Sequence, residues 1–322
     1  EIIPETRKVR VLPGITRTGV DFYVYGNGSR NVSLTPGSSV VVAGVPTTLT
    51  TVCADPNGYE DIASVKLLVN LNSSETDGAQ FIYDQVENKL YVSDGSGQVG
   101  GYVPVSANAI ECATCILYCD ETTVTGSGEE LTIVWRVMFK STMTGKSCSV
   151  WMNSEDQTAQ GDGWEKMGYL TINTGPLNVS ITPNSGTISE GDRTTLSSVV
   201  SDPDGGDSVS LVRMVIADVF DELASAHFVY DAMTNKLYMK SPTNGALLGG
   251  YTPGSSRTIS TSYGYLYCSG TSVARDGDTL TVNWNIALRS PLAGKTCQAW
   301  MFCRDGFGLT DGWDSLATYT VP

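Results

Sequence analysis

The sequence carries one histidine in 322 residues, and none of the short motifs that mark common catalytic machinery. It has no Gly-x-Ser-x-Gly elbow, phosphate loop, dinucleotide fingerprint or His-Glu-x-x-His pair, so the usual signatures of acyl transfer, phosphoryl transfer, hydride transfer and zinc hydrolysis are missing. The histidine, His227, lies beside Phe228 in an apolar run that reads as a strand, where a structural role is the default. Carboxylate pairs such as Glu129-Glu130 and Asp221-Glu222 fall in turn-like stretches and read as solvated. A glycosidase would need two carboxylates across a cleft, and no feature of the chain points to one. The expectation is a protein that is not an enzyme and needs no cofactor.

Basic residues are scarce, 20 against 34 acidic, which leaves a formal charge of −14 and a pI near 4.4. Such a surface repels phosphate backbones, so no nucleic-acid partner is expected. No apolar run approaches the roughly 18 residues that a membrane helix requires, so no membrane span is expected. The first residues, Glu1-Ile2-Ile3-Pro4, lack a basic and apolar leader, and any signal peptide is expected to have been removed or never included. A sustained 3.6-residue apolar period is also missing, which argues against helices.

What the chain does have is an internal repeat. Asn31-Val32-Ser33-Leu34-Thr35-Pro36 matches Asn178-Val179-Ser180-Ile181-Thr182-Pro183 at an offset of 147. The same offset joins Asp55-Pro56-x-Gly58 to Asp202-Pro203-x-Gly205, Phe81-x-Tyr83-Asp84 to Phe228-x-Tyr230-Asp231, and Asn88-Lys89-Leu90-Tyr91 to Asn235-Lys236-Leu237-Tyr238. Two residues are then inserted, and the offset becomes 149. It aligns Gly100-Gly101-Tyr102 with Gly249-Gly250-Tyr251, Trp135 with Trp284, Trp151-Met152 with Trp300-Met301, and Asp162-Gly163-Trp164 with Asp311-Gly312-Trp313. One insertion over this length is not coincidence.

Each copy reads as a series of short strands. Thr47–Cys53, Val65–Asn70, Phe81–Tyr83, Lys89–Val92, Leu131–Phe139, Cys148–Asn153 and Lys166–Ile172 are alternating or apolar runs. Asp55-Pro56-Asn57-Gly58, Gly95-Ser96-Gly97 and Gly126-Ser127-Gly128 supply turn chemistry between them. Seven or more strands per copy predict an all-β, two-sheet sandwich, with Trp135 and Trp151 in its core. The expected division is an N-terminal arm over 1–25, one domain over 26–174 and a second over 175–322.

The runs Asp202-Pro203-Asp204-Gly205, Phe228-Val229-Tyr230-Asp231, Asn235-Lys236-Leu237-Tyr238, Ala293-Gly294-Lys295 and Asp311-Gly312-Trp313 resemble the tandem Ig-like (bacterial Ig/cadherin-like) repeats of prokaryotic secreted and surface proteins. The resemblance covers nearly all of both copies. It implies two tandem immunoglobulin-like β-sandwich domains, an extracellular or cell-surface location, and roles as spacer, adhesin or structural subunit without a catalytic site. The cysteine pattern departs from that family.

Eight cysteines in a Ser/Thr-rich acidic chain point to an oxidising setting. Cys119 and Cys148 match Cys268 and Cys297 at the 149 offset, so bridges Cys119–Cys148 and Cys268–Cys297 are expected. Each would close a loop of about 30 residues and stabilise by roughly 3–4 kcal/mol in the chain-entropy model. Cys53, Cys112 and Cys115 then remain in the first copy and Cys303 in the second, an odd number on each side. These four are candidates for a bond between domains or between subunits, with Cys303 central to it. A competing reading takes Cys112-x-x-Cys115-x-x-x-Cys119 as metal-ligand spacing.

Asp55, Asn57 and Asp61, and more fully Asp202, Asp204 and Asp207, place several oxygen ligands on one tight loop, as calcium requires; a plain turn is the alternative. Asn27, Asn31, Asn72 and Asn178 fit the glycosylation acceptor pattern. Finally, Lys8-Val9-Arg10-Val11 and Val20-Asp21-Phe22-Tyr23-Val24-Tyr25 alternate like strands, and the second aligns with the last strand of the first domain. Val9, Val11, Val20, Phe22 and Val24 would therefore be the donor face of an arm that adds to a neighbour's sheet. The expected function is a homopolymeric subunit of an extracellular filament, pilus or surface sheath, joined head to tail by that strand and by intersubunit disulfides. The alternatives are a monomeric adhesin or ligand-binding module, or an accessory region of a secreted hydrolase.

Overall fold

The structure is a computed structural model and describes residues 28–322. The arm over 1–25, with Val9, Val11, Val20, Phe22 and Val24, and the sequon at Asn27 lie outside the described residues.

The chain forms β-strands joined by turns, four of them single 3-10 turns. The first sandwich contains β1 (Arg30–Thr35), β2 (Ser38–Val42), β3 (Thr47–Ala54), β4 (Ile62–Asn70), β5 (Ala79–Asp84), β6 (Lys89–Ser93), β7 (Gln98–Tyr102), β8 (Ala109–Glu111), β9 (Cys115–Tyr118), β10 (Thr123–Ser127), β11 (Glu130–Phe139), β12 (Lys146–Asp156) and β13 (Glu165–Asn173). The second repeats the series as β14 (Leu177–Thr182), β15 (Ser185–Thr187), β16 (Thr194–Ser201), β17 (Val209–Ala217), β18 (Ala226–Asp231), β19 (Lys236–Lys240), β20 (Leu247–Tyr251), β21 (Thr258–Ser260), β22 (Gly264–Tyr267), β23 (Ser272–Asp276), β24 (Thr279–Leu288), β25 (Lys295–Asp305) and β26 (Thr310–Val321).

One sheet of the first sandwich runs β1-β3-β11-β9-β8, with β10 also on β11; the other runs β2-β13-β12-β4-β5-β6-β7. The second sandwich has the same two orders, β14-β16-β24-β22-β21 and β15-β26-β25-β17-β18-β19-β20. This is the immunoglobulin arrangement, with extra strands on the sheet that holds the last two. The first strand leaves one sheet and joins the other at Thr35-Pro36, and its counterpart does so at Thr182-Pro183. A proline has no N–H for the ladder, so it ends the first pairing where the chain must cross over.

Alternation along each strand fills the space between sheets. On β11, Leu131, Ile133, Trp135, Val137 and Phe139 are buried while their neighbours are not. Trp135 packs on Phe81 at 6.4 Å between ring centroids, and Trp284 on Phe228 at 6.2 Å. Each indole N–H is satisfied inside the core, Trp135 by Thr51 Oγ1 at 2.9 Å and Trp284 by Ser198 Oγ at 2.8 Å. Trp151, expected in the core, is instead half-buried on the outer face, because it alternates with the buried Val150 and Met152.

The repeated motifs are mostly punctuation for this framework. The Tyr83 hydroxyl donates to Asn88 Oδ1 at 3.0 Å and Tyr230 to Asn235 Oδ1 at 3.1 Å, pinning hairpins whose asparagines have φ of 53°. Gly100 has φ of 128°, and a Cβ there would stand 2.7 Å from the Leu90 carbonyl oxygen at a bulge between β6 and β7.

Candidate functional site: the acidic heads and the junction

In each sandwich an Asp-Pro-x-Gly loop crosses from one sheet to the other, joining β3 to β4 and β16 to β17, and packs against the hairpin that leaves β12 or β25. In the first sandwich this brings Asp55, Asp61 and Asp156 together, with carboxylate oxygens all within 4.8 Å of one another. Asp156, a position the sequence reading missed, comes from the far end of β12. Its Oδ1 accepts from the Thr158 N–H at 2.8 Å, the Thr158 hydroxyl at 2.9 Å and the Gln160 N–H at 2.8 Å. Burial works against its charge, but these donors hold its pKa below the ordinary value. Asp55 Oδ1 accepts from the Asn57 N–H at 2.8 Å, and Asp61 Oδ2 from the Asn57 amide at 3.0 Å. Asp55 Oδ2 is buried without a hydrogen-bond partner. Burial pushes the Asp55 pKa up, the Asn57 N–H opposes that, and the nearby charges of Asp61, Asp156 and Glu129 add to it. This donor set suits a hard cation, which takes oxygen ligands and relieves the mutual repulsion.

The second sandwich, read from sequence as the better calcium loop, is built differently. Asp207 turns outward, 93% exposed, and pairs with Arg275 at 2.9 Å. Ser208 replaces Asp61 at the 147 offset. Two of the remaining carboxylates, Asp204 and Asp305, accept from the chain arriving from the first sandwich. Asp305 Oδ2 accepts from Asn173 Nδ2 at 2.7 Å, and Asp204 Oδ2 from the Thr174 N–H at 2.7 Å. Asp305 Oδ1 is held by the N–H groups of Phe307 and Leu309 at 2.9 and 2.8 Å, as Asp156 is held in the first sandwich. Burial lifts the pKa of Asp202 to about 6; the Asp204 N–H opposes this, and the charges of Asp204, Asp305 and Asp278 reinforce it. Asp204 and Asp305 thus clamp the chain at the end of β13, while Asp202 accepts only from the Asp204 N–H and keeps its Oδ2 buried without a partner.

The cysteines need correction. All eight are free thiols in the structure. Cys119 follows β9, which packs over β6, whereas Cys148 is on β12, three places from β6 in the opposite sheet. At about 4.8 Å per strand that is roughly 14 Å, twice the span a disulfide allows. The same topology separates Cys268 from Cys297. Cys53 and Cys303 are buried in the two cores, so neither can reach another subunit or the other sandwich. Burial holds both thiols at about 12. Cys112 and Cys115 lie on one hairpin, Sγ to Sγ 3.3 Å. Cys119 is four residues further along the strand, roughly 13 Å, which removes it from any three-thiol metal site.

Of the sequons, Asn31 and Asn178 use their amide nitrogens in the fold. Asn31 Nδ2 donates to the Gly163 carbonyl at 3.1 Å, and Asn178 Nδ2 to Asp314 Oδ2 at 2.9 Å. Both backbone N–H groups also donate to the aspartate of the repeated Asp-Gly-Trp, Asp162 and Asp311, which accounts for both motifs. Asn72 alone of the described three lies in an exposed loop.

His227 is 1% exposed, its Nδ1 3.1 Å from the Glu222 carbonyl oxygen, and burial lowers its pKa to about 4. It backs an aromatic outer face that the sequence reading also missed. Phe220 packs edge-on to Trp300 and Trp313 at 5.3 and 5.2 Å, and Phe302 lies 5.4 Å from Trp313. The first sandwich has Ser73 and Asn153 where these phenylalanines stand.

No family model matches the sequence, and no curated protein matches it. Solved structures with some likeness include a marsupial T cell receptor (9% identity over 89% of this chain and 72% of that one, TM-score 0.40). The I-band fragment I67–I69 of titin follows at 9% identity, 91% and 65% coverage and a TM-score of 0.38. The titin domains Z1Z2 in complex with telethonin give 10%, 92%, 96% and 0.22. At these scores the immunoglobulin-like assignment stands on the strand orders themselves. The likeness to prokaryotic surface repeats is not carried by any of these matches.

Proposed function

We propose that this chain is a non-catalytic, load-carrying segment of an extracellular filament, pilus or surface sheath, in which each acidic head grips the end of the sandwich before it. The observation that carries this reading is the junction: Asn173 and Thr174, at the end of β13, are each bonded to a carboxylate of the second head. Two charge-assisted bonds across a short connection hold neighbouring sandwiches in one orientation, which suits a linear array.

The first head has Asn57 where the second has Asp204 and Asp61 where the second has Ser208, and is the proposed calcium site. For assembly, β7 and β20 are sheet edges with exposed apolar side chains, among them Val99, Leu247 and Leu248, which an added strand would cover.

Mass measurement and negative-stain microscopy at neutral pH test the proposal. Linear assemblies are expected from the full chain, and folded monomers after deletion of residues 1–25. Monomers from both, 34.3 kDa for the full chain, would overturn it. That result would favour a monomeric binding module, for which the aromatic face around Phe220, Trp300 and Trp313 is the specific supporting feature.

A further inference from the structure

The β8–β9 hairpin ends in the four-residue turn Cys112-Ala113-Thr114-Cys115, closed by the Cys112 N–H donating to the Cys115 carbonyl at 3.0 Å. Its tip is tied by four hydrogen bonds to three separate parts of the sandwich. Lys140 Nζ donates to the Cys112 carbonyl at 2.6 Å, and the Ala113 N–H to Asp94 Oδ2 at 3.0 Å. Thr114 Oγ1 donates to the Gly78 carbonyl at 2.8 Å, and Thr142 Oγ1 to the Ala113 carbonyl at 3.0 Å. The two sulfurs, 3.3 Å apart, are therefore held together by a rigid frame and not by chance of a loose loop.

The second sandwich is an internal control. Its equivalent turn is Thr261-Ser262-Tyr263-Gly264, closed by the Thr261 N–H on the Gly264 carbonyl at 2.9 Å. Arg289 reaches the Thr261 carbonyl at 2.9 Å, as Lys140 reaches Cys112. The turn and its tie form without either thiol, so the cysteines are an addition to the hairpin and not a requirement of it.

We propose that Cys112 and Cys115 are a thiol–disulfide exchange pair that closes into a disulfide across the hairpin tip. Cys112 is half-buried and Cys115 fully buried, which orders the steps. The hydrogen bond from Cys115 is the main cause that lowers the Cys112 pKa to about 6; burial opposes it and Thr114 assists. The same hydrogen bond, together with burial, raises Cys115. At neutral pH the Cys112 thiolate attacks one sulfur of a small-molecule or protein disulfide, forming a mixed disulfide and expelling one thiolate. Cys115 then loses its proton and attacks Cys112 Sγ, breaking the mixed disulfide and expelling the second thiolate. In sum, two protein thiols and one external disulfide give one protein disulfide and two external thiols.

The test uses the full chain, reduced and then equilibrated at neutral pH with excess oxidised glutathione, acid-quenched, unfolded and alkylated. Two fewer alkylations than in the reduced sample are expected, with fragment spectra linking Cys112 to Cys115. Cys115→Ser should instead carry a single glutathione on Cys112. Full alkylation at Cys112, a lasting glutathione adduct on the wild type, or a link from Cys112 to any other cysteine or chain would overturn the proposal. The wild-type result stands even if the variant misfolds.

Discussion

At the centre of the first sandwich, Cys53 on β3 meets Ser154 on β12, whose hydroxyl is the group that offsets part of the burial cost of the thiolate. In the second, Val200 stands where Cys53 does and Cys303 where Ser154 does, both fully buried in one cluster. Each core therefore holds one half of a cross-sheet cysteine pair, in opposite sheets. The difference explains the odd cysteine on each side without any bond between domains. It also shows that these cores close by packing alone, since large aromatic side chains such as Trp135 and Phe81 supply the burial that a bridge would otherwise supplement.

The Cys53 thiol and Ser154 hydroxyl are in contact, and Val200 and Cys303 share one core cluster, so one substitution in each sandwich completes a pair. Ser154→Cys should join Cys53 and Val200→Cys should join Cys303, each closing a loop of about 100 residues and stabilising its own sandwich by up to about 4 kcal/mol, less any strain. Thermal unfolding with and without reductant reads the effect as a shift in one transition only. Thiols that stay titratable after oxidation, with no reductant-sensitive shift, would break the comparison.

The heads differ next. In the second sandwich the pKa of Asp202 is about 6 in the folded protein against an ordinary 3.8. Between those values the native state holds a proton that the unfolded chain has released, so stability falls as pH rises from about 4 to about 6, and the loss persists above. Its size is at most about 3 kcal/mol, and solvent screening of the partly covered carboxylate brings it to roughly 2 kcal/mol. Asp202→Asn should remove this dependence and raise the melting temperature of the second sandwich at neutral pH. Asp55 is shifted in the same direction in the first sandwich, but with Asp61 and Asp156 beside it. There, added calcium should remove the penalty, whereas it should leave the second sandwich unmoved. Equal responses of both sandwiches to calcium would erase the distinction between cage and clamp.

How much of this could be read beforehand depends on range. The two-copy sandwich was legible because alternation, turn residues and the repeat are local signals, and Trp135 followed from its place on a long alternating run. Trp151 was misplaced because its run, Val150-Trp151-Met152, is apolar on both faces, so periodicity does not say which face is inside. The bridges Cys119–Cys148 and Cys268–Cys297 failed for a related reason. Repeat equivalence shows that positions are retained together, not that they touch, and only the order of strands across two sheets reveals the gap. Asp156 was missed because it lies about 100 residues from Asp55 in the chain and joins it only through the pairing of β12 with β4. The cue was available: the aspartate recurs as Asp305 at the repeat offset.

The smallest effect falls at the junction, and it bears most directly on the proposed function. Asn173→Ala removes the donor to Asp305 Oδ2, a carboxylate 1% exposed whose other oxygen keeps its two backbone partners. Leaving one buried acceptor unmatched costs about 1–2 kcal/mol, and the cost should appear in the transition of the second sandwich, because Asp305 is part of its core rim. The second consequence is geometric. With only the Thr174 bond remaining, the two sandwiches should reorient more freely, and small-angle scattering should show a broader distribution of maximum dimension than in the wild type. A variant that loses stability but keeps the wild-type scattering profile would mean that Asn173 serves the fold of the second head, and that the junction is stiffened by something other than this clamp.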